Sequence, residues 1–152
     1  MKKIRVICSI QAGSLGYEKI KQLESVLTST YRAHFGSQYK LTFFWLKIPF
    51  EQAYLAGELS TASTVQIPLE NGTSNEKRHP FMSEVCAKWQ HISGCTKNEI
   101  ILVCPDANGF ESFQHAMARR FKGSGKATKL KMMFRLIKGR LRDGYLNTSV
   151  NF

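Results

Sequence analysis

Leu46-Lys47-Ile48-Pro49-Phe50-Glu51-Gln52-Ala53-Tyr54 and Leu102-Val103-Cys104-Pro105-Asp106-Ala107-Asn108-Gly109-Phe110 decide the fold. Each is the end of an apolar, strand-like run stopped by proline, which cannot donate to a β-ladder. The two stretches recur at an offset of 56 residues, Pro49 to Pro105. Ahead of them, Ile10-Gln11-Ala12-Gly13 and Leu69-Glu70-Asn71-Gly72 recur at an offset of 59, Gly13 to Gly72. A repeat of this period points to one supersecondary unit used twice.

Working outward, residues 4–10 are β-branched and alternating, which predicts a strand. After the turn at Gly13, the spacing of Ile20, Leu23, Val26, Leu27 and Tyr31 predicts a helix over 17–34, with Gly36 as its stop. A second strand is predicted over 39–48. The order then recurs: strand 64–69, a turn at Asn71-Gly72, and a helix from Ser74 or Asn75 carrying Phe81, Val85, Trp89 and Ile92 on one face. Gly94 stops that helix, and residues 99–104 form the last strand. The reading is an α+β fold of two β-α-β units, 4–59 and 63–110, in a four-stranded sheet with two helices on one face. Residues 1–112 form this domain and 113–152 a basic, helical C-terminal extension.

The net charge is +11, and ten of the 22 Lys and Arg residues lie in 116–152 beside a single acid, Asp143. The basicity is therefore a property of the extension. There Phe110, Phe113, Met117 and Phe121 share one helical face, and Gly123-Ser124-Gly125 reads as a joint. Leu130, Met133, Phe134, Ile137 and Leu141 make an apolar stripe, surrounded by Lys126, Lys129, Lys131, Arg135, Lys138, Arg140 and Arg142. Three readings stay open: the stripe packs on the domain or a sister subunit, docks on nucleic acid, or lies on an anionic membrane.

No apolar run approaches the ~18–20 residues of a membrane span, and 4–10 is too short for a signal-peptide core. A cytoplasmic location is expected. Among the cysteines, Cys8 and Cys104 sit in strand-like runs, and Cys86, His91 and Cys95 lack the paired spacing of a zinc site. No metal is expected. Gly13-Ser14-Leu15-Gly16 lacks the spacing of a phosphate loop, and no cofactor motif is present.

The segment Pro49 to Leu59, with its Gly57-Glu58-Leu59, and the segment Pro105 to Phe110 resemble the corresponding parts of the tautomerase superfamily, which includes 4-oxalocrotonate tautomerase and macrophage migration inhibitory factor. The resemblance covers about residues 4–112. It implies the fused, two-repeat form of that fold and a homotrimer with inward-facing sheets, with which exposed Phe43 and Trp45 would be compatible. It also implies a pocket at Ile4, Thr42, Tyr54, Ser63, Thr73 and Phe110, suited to a small carboxylate ligand. Active members use an N-terminal proline amine, and here Ile4 and Ser63 stand at the two matching positions. Ser14 and Thr73 replace the arginine after the turn glycine, and Thr42 replaces a second arginine. Lys2 is too large for routine removal of Met1, so a free α-amine is expected on Met1. The candidates for an atypical catalytic amine are Met1, Lys2 and Lys3. Two functions follow as expectations: an isomerase acting on a small keto or enol acid, or a non-catalytic trimer that binds an anionic partner, nucleic acid or membrane, through its extension.

Overall fold

The computed structural model describes residues 1–120 and 126–150, with side chains unassigned at 113, 114 and 116–120. Strand β1 (Lys2–Gln11) is followed by helix α1 (Tyr17–Phe35) and strand β2 (Tyr39–Ile48). A two-residue hairpin, β3 (Tyr54–Leu55) and β4 (Glu58–Leu59), leads to β5 (Ser63–Gln66), α2 (Asn75–Ser93) and β6 (Ile100–Val103). Helices α3 (Ala107–Arg120) and α4 (Lys126–Asp143) and strand β7 (Asn147–Ser149) complete the described chain.

Both units are right for the repeat. β1 pairs parallel with β2, and β5 parallel with β6, while β1 and β5 run antiparallel at the centre. The two turns repeat in atomic detail. Gly13 and Gly72 have φ of 84° and 76°, a region open to glycine without steric cost. The Ser14 hydroxyl donates to the Gln11 carbonyl at 2.8 Å, and the Thr73 hydroxyl to the Glu70 carbonyl at 2.6 Å. The residue after each turn glycine thus closes its turn.

Two features differ from the sequence reading. The sheet has five strands, in the order β6-β5-β1-β2-β7. The fifth comes from the extension expected to be helical: β7 pairs parallel with Trp45–Lys47 of β2. Phe43 and Trp45 are also not exposed on the sheet. Successive strand residues point to opposite faces, and these two lie with Ile4, Val6, Cys8, Ile10, Leu41 and Val65 beneath the helices. Trp45 stacks on Trp89 of α2, with ring centroids 5.9 Å apart. The uncovered face is the other parity, carrying Ile7, Phe44, Leu46, Ile101 and Val103 between Lys3, Arg5 and Lys40 at one end and Ile48 at the other.

The core closes around aromatic contacts. Tyr31 and Phe35 of α1 meet Phe81 of α2 edge-on, and Tyr31 donates to the Pro68 carbonyl. Burial pushes the Tyr31 hydroxyl and the Cys8 thiol up, so both stay neutral. α4 joins this body through Leu136 and Gly139, both buried. A Cβ on Gly139 would run into the backbone carbonyl of Asn147, so glycine is what lets α4 lie against β7. Lys47 fixes the same junction by donating to Asp143 at 2.9 Å, with Tyr145 under its ammonium group.

Candidate functional site

The first region to test is the start of β1, where the resemblance places the catalytic amine. Ile4 is almost fully buried and points into the core beneath the helices. β1 itself begins two residues earlier, with Lys2 opposite Tyr39. The Lys2 ammonium forms an ion pair with Glu70 and lies 5.8 Å from the centre of the Tyr39 ring. The hydrogen bond and charge of Glu70 raise the Lys2 pKa above its ordinary value. Lys2, and then Tyr39, lower that of Glu70 in turn. A general-base amine must be neutral near working pH, and this arrangement moves Lys2 the other way. Met1 is 77% exposed, and Lys3 is exposed on the open sheet face.

The six pocket residues implied by the resemblance do not meet within one chain. Ile4 and Thr42 sit at the end of the sheet where β1 and β2 begin. Thr73 and Phe110 belong to the same end, because the Thr73 hydroxyl holds Glu70, the partner of Lys2, and Phe110 follows the Asp106 loop. Ser63 starts β5, which runs antiparallel to β1, so it lies at the opposite end and is buried. Tyr54 is 67% exposed on the hairpin after β2. Two hollows form along α1, a groove of about 780 Å³ against Leu41 and Phe43 and a smaller one against α2. Neither borders Ile4.

Two polar features near this end escaped the sequence reading. Arg78 donates to the carbonyls of Cys104 and Thr73 and to the Asp106 carboxylate, each within 2.9 Å. It locks the second turn to the loop after β6. The Arg78 guanidinium beside Asp106 lowers that carboxyl's pKa, with the Gly72 amide adding to the effect. Arg5 lies on the open face in register with Thr42. An arginine therefore stands one strand away from Thr42, where the resemblance implies one. The alternation of residues 3–9 would have placed Arg5 on that face, but only pairing with β2 brings it to Thr42.

The second region is α4. Residues 132, 136, 139 and 143 form one row at i, i+4, i+7 and i+11. This row, Met132, Leu136, Gly139 and Asp143, includes the two residues buried against the body and the aspartate that Lys47 holds. The apolar stripe is a different row: Leu130, Phe134, Ile137 and Leu141, with Met133 beside it, all exposed. Of the three readings left open, packing of the stripe on its own domain is overturned. Between these rows run Lys131, Arg135, Lys138 and Arg142 on one side, and Lys129 and Arg140 on the other. Lys126 opens the helix, also exposed. Asp143, the single acid on α4, is held well below the usual carboxylate range by Arg142 and Lys47. The face formed by Phe110 with Phe113, Met117 and Phe121, and the joint at 123–125, lie largely outside the described side chains; Phe110 itself is buried. Among the described residues, no three His, Cys, Asp or Glu side chains gather as a metal site, and no helix is long and apolar enough to cross a membrane.

Known structures share this architecture. N1, a member of the cis-3-chloroacrylic acid dehalogenase family, superposes with a TM-score of 0.60 at 12% identity, over 67% of this chain and 73% of its own. The wild-type Q0 fused 4-OT, a symmetric trimer, gives 0.58 at 14% identity, over 67% and 84%. Native fused 4-OT gives 0.56 at 12%, over 67% and 85%. These solved structures share the fold of this chain. At the level of sequence, no protein-family model matches and no curated protein matches. The likeness thus rests on tertiary structure.

Proposed function

We propose that this chain uses the tautomerase fold without the family's proton transfer, as a trimer that binds an anionic partner through α4. The observation that supports this most directly is the set of seven Lys and Arg residues on α4 against one acid, six of them exposed and Arg135 half-buried. In this reading residues 1–112 are the assembly domain and 113–152 the binding extension. The open sheet face, with Phe44, Leu46, Ile101 and Val103, is apolar enough to support the inward-facing sheets of a trimer. The start of β1 supports the loss of chemistry, since Ile4 replaces the proline and Lys2 is committed to Glu70.

One observation favours a second reading. Arg5 beside Thr42, with Lys3 and Lys40 nearby, offers charge for a small carboxylate. The keto–enol conversion of phenylpyruvate separates the two. With wild-type protein and Lys2→Ala, the expected rate is that of buffer for both. A wild-type rate well above buffer that falls in Lys2→Ala or in a Met1-extended variant would establish the isomerase instead.

A further inference from the structure

The chemistry of the anionic partner follows from the direction in which α4 faces; this inference rests on the anion-binding reading above and names its target. We infer that α4 is a surface-lying membrane helix, which docks the protein on a bilayer containing anionic lipid.

The outward row is Leu130, Phe134, Ile137 and Leu141, with Phe134 64% and Leu141 84% exposed. A helix that only balanced charge on a nucleic acid would present its cations outward, because phosphate oxygens are the groups to be met. Here the residues that face outward are apolar, and the cations flank them on both sides. That is the arrangement in which apolar side chains enter the acyl boundary while lysine and arginine reach sideways to the headgroups. Exposed Lys131 and Lys138 form one flank, with half-buried Arg135 and with Arg142, which also pairs with Asp143, beside them; Lys129 and Arg140 form the other. Among the described residues, α4 is buried at Leu136 and Gly139, on the side of the helix away from the stripe. Two such helices facing one another would set cationic flank against cationic flank, which disfavours a second α4 as the cover. The helix fails the requirements for crossing a bilayer, so it lies on the surface.

The test uses the full chain and Phe134→Ser/Ile137→Ser, which removes apolar surface while leaving every charge. Both positions are exposed, so the fold tolerates the change. Each protein is sedimented with vesicles of phosphatidylcholine alone and of equal parts phosphatidylcholine and phosphatidylglycerol, and each is run on immobilised heparin. Wild type is expected to bind only the anionic vesicles, and the variant to bind them roughly tenfold or more weakly, with its heparin retention intact. Equal vesicle binding by the two proteins would overturn the inference, as would a wild type that holds heparin but no vesicles; in both cases the broader anion-binding reading stands. A wild type that holds neither heparin nor anionic vesicles would sink both. Light scattering without lipid closes the remaining alternative. A variant with a smaller assembly than wild type would show that the stripe covers a second copy, and that too would overturn the membrane assignment.

Discussion

Helices α1 and α4 have similar apolar periodicity and use it in opposite ways. In α1, Ile20, Leu23, Leu27 and Tyr31 are buried against the sheet. In α4, Leu130, Phe134, Ile137 and Leu141 face away from it. The docking row of α4 holds just one large apolar side chain that is buried, Leu136, and reaches the body through the bare backbone of Gly139. An amphipathic pattern shows that a helix has an apolar row. Which row meets the body is decided by close approach, and on α4 the row with the small residue wins. Stability and binding are thereby assigned to different helices, and substitutions can separate them.

The largest effect belongs to the body. Trp45→Ala removes the ring stacked on Trp89 and its 3.0 Å hydrogen bond to Glu24. The expected cost is about 3–5 kcal/mol in urea unfolding; a loss under 1 kcal/mol would place Trp45 outside the cooperative core. Next comes Gly139→Ala. On an isolated helix alanine is favoured by roughly 1 kcal/mol over glycine. Here the added methyl meets the Asn147 carbonyl, and a net loss of about 1–3 kcal/mol is expected. A gain in melting temperature would mean that α4 does not rest on β7.

Asp143 gives a pH-dependent test of the same junction. Its carboxyl is held well below the unfolded value by Arg142 and Lys47. For a depressed acid, the stabilisation is present above the unfolded pKa, about 3.9, and is lost as pH falls toward the folded pKa. Asp143→Asn should therefore lower the melting temperature at neutral pH and narrow its gap from wild type near pH 3. A gap that widens on acidification contradicts the pairing. The smallest effect belongs to the outward row: Leu141→Gln should change unfolding free energy by no more than about 0.5 kcal/mol, because the side chain is already in solvent. A loss beyond 2 kcal/mol would show that the row is covered.

The tandem units were legible because strand, turn glycine, helix and terminal proline recur in order, and the structure returns them with the same turn bonds at Ser14 and Thr73. The facing of Phe43 and Trp45 was not legible. Phe43-Phe44-Trp45-Leu46 is apolar at both parities, so alternation cannot assign a face. β7 was missed because Asn147-Thr148-Ser149 is three residues long and polar, and its place is set by pairing with β2 and by Gly139. At the start of β1, Ile4 could be read as standing where the resemblance implies a proline. The Lys2–Glu70 pair could not, since it joins residues 68 apart, between the start of β1 and the stretch after β5.

The most direct measurement of the central claim is salt-dependent elution from immobilised heparin, comparing wild type with Lys129→Gln/Lys131→Gln/Lys138→Gln/Arg140→Gln. All four positions are exposed on α4, and equal melting temperatures confirm that the fold is kept. Wild type should be retained and elute at high salt, with the variant leaving at much lower salt. Elution of both at the same salt concentration would contradict the assignment of anion binding to α4.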